Sequence, residues 1–156
     1  MEYDYEKLIK EKCADLYEVK GEILESALAN IVEPEINVVH LNIGGEWYSA
    51  HGEIGSEILG FHKREEKVIE EKINEGSWVG KLPILDQFIG HKIVEVRQIG
   101  EAWNGHGFEF SFDDIPNKTL ILQSIYTGSE PKDFNDCMRI GVGNYVYAVE
   151  APNKAN

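Results

Sequence analysis

Histidines and carboxylates are the residues of this chain whose types could carry chemistry. His40 and His51 fall on or near the two arms of a predicted hairpin, with Glu53 close by. Two imidazoles and a carboxylate facing one another could hold a divalent metal or share acid–base work. None of His40, His51, His62, His91 and His106 has a partner at helical spacing, which argues against a ready-made metal motif. Asp113 and Asp114 are adjacent, so on a strand they point to opposite faces and make a poor acid–base pair. They read better as a turn ending at Pro116. No phosphate loop, nucleophile elbow, zinc-protease helix or paired-cysteine motif is present. Gly141-Val142-Gly143 lies between strands and reads as turn chemistry. Cys13 and Cys137 stand far apart and are expected as two reduced thiols. The expectation is therefore a protein without nucleophile, catalytic metal or cofactor.

Charge and aromatic placement point toward binding instead. Twenty-eight acidic residues face fifteen basic ones, a formal net charge of −13. Such a surface repels phosphate backbones and anionic lipid and attracts a basic protein. Nucleic acid and membrane are thus excluded as expected partners. No Lys or Arg occurs between Lys20 and Lys63, nor between Arg97 and Lys118. Trp103, in the loop from Glu101 to Gly107, and Trp47, beside Gly44-Gly45, either pack inward or wait for a partner. A third loop, 127–136, is polar and acidic at its end. The expected binding residues are Glu46, Trp47, Glu101, Trp103, Asp113, Asp114, Glu130, Asp133 and Asp136. The competing reading is a small enzyme or ligand-binding domain with a pocket over the sheet near His40, His51 and His106.

The elements that must position these residues form one domain of 156 residues. Apolar positions near a 3.6-residue period predict helix over 4–31, with Asp4 as N-cap and a break at Gly21. A hairpin follows, 36–43 and 46–50 around Gly44-Gly45. The charged run 61–74 predicts a second helix that Gly76 stops. From residue 92 the period becomes two, predicting strands at 92–99, 108–113, 118–126, 137–142 and 145–149. This is an α+β pattern: N-terminal helices and a central charged helix packed on a mainly antiparallel sheet.

In size, acidity, segregated helices and strands, and lack of a catalytic motif, the chain resembles the immunity proteins that bacteria make against toxins. Those of contact-dependent growth inhibition systems are included. The strand–loop–strand from Gly90 to Gln123 is similar to segments of small bacterial proteins. The resemblance implies a cytoplasmic inhibitor, and its partner would be a basic toxin such as a nuclease. The acidic N-terminus, unlike a signal peptide's start, fits the same expectation.

Overall fold

A computed structural model describes residues 4–33, 35–53, 56–102, 104–125 and 138–143. The chain opens with helix α1 (Tyr5–Lys12), capped by the Asp4 carboxylate accepting from the Lys7 N–H at 3.2 Å. A 3₁₀ turn (Leu16–Val19) follows, and then the chain is almost all strand. Strands β1 (Leu24–Val32), β2 (Glu35–Ile43), β3 (Glu46–Glu53), β4 (Ile58–Arg64), β5 (Glu71–Asn74) and β6 (Ser77–Gly80) make one antiparallel sheet. Its order is β4-β3-β2-β1-β6-β5. After a 3₁₀ helix (Pro83–Phe88), β7 (Ile93–Glu101), β8 (Asn104–Phe112), β9 (Thr119–Ser124) and β10 (Met138–Val142) form a second, ordered β10-β9-β8-β7. All pairs are antiparallel.

The core lies between the sheets. Leu41, Ala50, Phe61 and Tyr48 from the first meet Val96, Phe108, Phe110 and Leu122 from the second. Phe61 stacks on Tyr48 at 5.3 Å and meets Phe108 edge-on at 5.7 Å, the offset arrangements that ring quadrupoles favour. Phe108, Phe110 and Phe112 are buried, while Glu109 and Ser111 face away, as a period of two requires. Backbone bonds tie the sheets along one seam. Gly21 N–H donates to Ile93 O at 2.7 Å, Ile93 N–H to Glu22 O at 2.8 Å, and Gly90 N–H to Leu24 O at 2.7 Å.

The outer edge of β4 is closed by side chains rather than by another strand. Leu59 N–H donates to His106 Nδ1 at 2.9 Å, the Cys13 thiol donates to Leu59 O at 3.3 Å, and Lys63 N–H donates to Asp15 Oδ2 at 2.8 Å. This blocks strand addition at that edge.

Three expectations are corrected. Helix over 4–31 ends at Lys12, and residues 24–32 are the central strand β1. Register shifts at Leu24/Ser26 and Asn30/Ile31 break its in–out alternation, so Leu24, Ala27, Leu28 and Ile31 imitate a helical period. The central charged helix over 61–74 is absent: β4 runs to Arg64 and β5 covers 71–74. β5 is an edge strand exposed throughout, so it carries no apolar alternation, and Gly76 serves its hairpin at φ 83°. The strands do not come mainly from 92–149, since the larger, six-stranded sheet spans 24–80. What holds is the coarser statement: a mainly antiparallel, sheet-dominated chain with few helices. The strand expected at 145–149 lies outside the described residues. Among the described residues no helix is long and apolar enough to cross a membrane.

Candidate functional site

Antiparallel register sets which polar side chains share a face. His40 pairs with Ser49 and Ser49 with His62, while His51 pairs with Gly60. His40, Ser49, His51, Glu53 and His62 therefore project from the face of the first sheet turned away from the Phe61 core. His40 is buried, and its Nδ1 accepts from the Ser49 hydroxyl at 2.7 Å while its Nε2–H donates to Asn30 Oδ1 at 2.8 Å. Burial, assisted by Arg64 and His51 nearby, holds its pKa down at about 4. Serine, histidine and asparagine stand here in the order of a nucleophile, base and orienting group. Yet Ser49 is 1% exposed in mid-strand. With no room for a substrate at Oγ, the trio acts as a hydrogen-bonded tie across β1, β2 and β3.

Next to this tie His51 and Glu53 approach each other, Nε2 to Oε2 at 3.3 Å, and the His51 and His62 rings meet edge-on at 5.1 Å. His106 does not join them. It sits between the sheets, 2% exposed, with Nδ1 accepting from Leu59 N–H and Nε2–H donating to Gln98 Oε1 at 2.8 Å. Desolvation keeps it neutral, with a pKa near 4. His62, assigned to a helix by its sequence, is the member that sequence reasoning missed; once β3 and β4 are paired, the His51–Gly60 register is the signal that finds it. Cys13 is a buried thiol pushed up to about 12 by desolvation, so it is a poor nucleophile.

The expected binding residues fall in several places. Glu46 is exposed at the β2–β3 turn, and Gly44 in that turn donates its N–H to Ile23 O at 2.9 Å. Glu22 lies over the turn, its Oε1 2.6 Å from where a Gly44 Cβ would stand. Ile23 bridges to Lys92, and Lys92 N–H donates to Asp113 Oδ1 at 3.2 Å. Glu22, Glu46, Asp113 and Asp114, all exposed, thus gather at one end of the molecule around Ile23, which is 44% exposed. Glu101 does not belong there. It ends β7, whose nine residues put it about 27 Å from the Ile93 end. Trp47 is half-buried and points into a groove of about 800 Å³ over the sheet, beside Leu28, Asn42, Val68 and Ile69. None of His40, His51 and His106 lines this groove, so it is not the pocket expected near those histidines. Trp103, Glu130, Asp133 and Asp136 lie outside the described residues.

Comparison with protein families, with curated proteins and with solved structures finds no match.

Proposed function

We propose that this chain is a binding protein that neutralises a basic protein partner by direct contact, in the manner of the toxin-immunity proteins it resembles. The observation that supports this reading is the convergence of Glu22, Glu46, Asp113 and Asp114, from three separate stretches of chain, around the exposed Ile23. An apolar centre with a charged rim is the anatomy of a protein–protein contact. The net charge of −13 gives the molecule the same sign as this patch and speeds encounter with a basic partner. One cation, the exposed Lys92, stands within this group, bridged to Ile23; Lys63 is engaged by Glu18 at 2.9 Å and Lys20 by Glu95 at 3.3 Å. A partner active on nucleic acid would suit this surface, because the basic residues that grip phosphates would be the ones it covers.

The test is capture. The immobilised chain should retain a basic protein from the producing cell and inhibit its activity at one-to-one stoichiometry. Retention should fail for Glu22→Lys combined with Asp113→Lys and persist for Glu101→Lys at the far end. Equal loss in both variants, or in neither, contradicts the proposed contact surface.

A further inference from the structure

The pair His51–Glu53 poses a chemical question that the rest of the fold does not answer. His51 Nδ1 lies 3.0 Å from Gly52 O, and a carbonyl oxygen only accepts, so the ring proton sits on Nδ1. In the neutral ring, Nε2 then presents a lone pair to Glu53 Oε2 at 3.3 Å, acceptor against acceptor. Something positive must stand between them, either a second proton on His51 or a cation. A histidine whose Nδ1–H is fixed on a backbone carbonyl, leaving Nε2 free to bind, is how proteins orient metal-binding imidazoles.

A third donor completes the set. His62 on β4 is diagonal to His51, and one ligand atom from each of His51, Glu53 and His62 lies within 4.8 Å of the others. Tetrahedral zinc, with bonds of about 2.0–2.2 Å, holds its donors roughly 3.3 Å apart, so these three would draw closer on binding. The site is also built at position 60. A Cβ on Gly60 would stand 2.9 Å from Glu53 Cγ, so glycine is what lets this carboxylate lie back toward His51.

We propose that His51, Glu53 and His62 bind one divalent transition-metal ion of the zinc class. Two imidazoles and one carboxylate are a borderline donor set suited to zinc rather than to calcium or magnesium, which want more oxygen. Three protein donors leave a fourth position for water or for a donor from another molecule. Lys12, 3.9 Å from Glu53 Oε1, and Arg64 near His62 oppose the cation and weaken the site. The ion would clamp β3 to β4 and so raise stability on binding.

The experiment is a zinc titration followed by calorimetry and thermal unfolding, with cobalt absorption as a spectroscopic readout. Wild type should take one zinc per chain, rise in melting temperature, and give a cobalt spectrum of a four- or five-coordinate nitrogen–oxygen site. His51→Ala, His62→Ala and the isosteric Glu53→Gln should each weaken binding at least tenfold. Gly60→Ala, which keeps all three donors, should weaken it by displacing the carboxylate. The group of half-buried His91 with exposed Asp113 and Asp114 is the internal control. Zinc lost in His91→Ala but retained in Glu53→Gln and His62→Ala would overturn the proposal, as would the absence of stoichiometric zinc in a folded wild type.

Discussion

Two buried histidines, His40 and His106, are held neutral by burial, and this ties stability to pH. Their folded pKa values, near 4, lie below the ordinary 6.5. As pH falls, the unfolded chain takes up these protons first. The stability they hold is intact above about pH 6.5 and is lost on the way down to about pH 4. Each contributes a slope of about 1.4 kcal/mol per pH unit in that window. Urea unfolding at pH 7.5, 5.5 and 4.5 should show a falling midpoint, with a flatter fall in the double variant His40→Gln, His106→Gln. His106→Ala removes the acceptor of the buried Leu59 N–H and should destabilise the chain by about 1–3 kcal/mol at pH 7.5, read from the same curves. No residue pattern announced these roles. Of the bonding partners of His106, Leu59 lies on another sheet, far away in sequence, and Gln98 lies diagonally across on the neighbouring strand, so only the folded register reveals them.

Elements were legible where a local signal and the tertiary demand agreed. Gly44 and Gly45 take φ of 62° and 89°, the two positive values a tight two-residue hairpin needs, and the hairpin stands where those glycines predict it. Gly45→Ala should therefore destabilise the chain by about 1–2 kcal/mol, measured by chemical denaturation, although nothing crowds a Cβ there. The Phe108–Phe112 alternation is equally local, and β8 carries it into the core. Legibility failed where the sheet overrode the chain's own preference. Leu24–Val32 is rich in helix formers, yet pairing on both sides, with β2 and β6, makes it a strand. The charged run after Phe61 divides between a strand whose edge is sealed by His106, Cys13 and Asp15 and an exposed edge strand that shows no period. That misreading is also why His62 was separated from His51 and Glu53, and why the cluster His51–Glu53–His62 could not be seen in sequence.

At the scale of the whole molecule, charge and topology together support a binding role. The seam that joins the two sheets draws segments 22–23, 44–46 and 113–114 to one end, which spacing along the chain does not disclose. The same topology separates Glu101 from that end, although its sequence environment looked equivalent. Composition announced the sign of the surface, and folding decided which carboxylates act together. The association rate with the captured basic partner, measured by stopped flow from about 50 mM to about 500 mM salt, tests this most directly. The rate for wild type should fall steeply across that range, as it does where opposite charges steer encounter. It should start lower and fall less for Glu22→Lys, Asp113→Lys, and match wild type for Glu101→Lys. A rate that ignores both salt and the reversal at Glu22 and Asp113 would contradict the acidic contact surface.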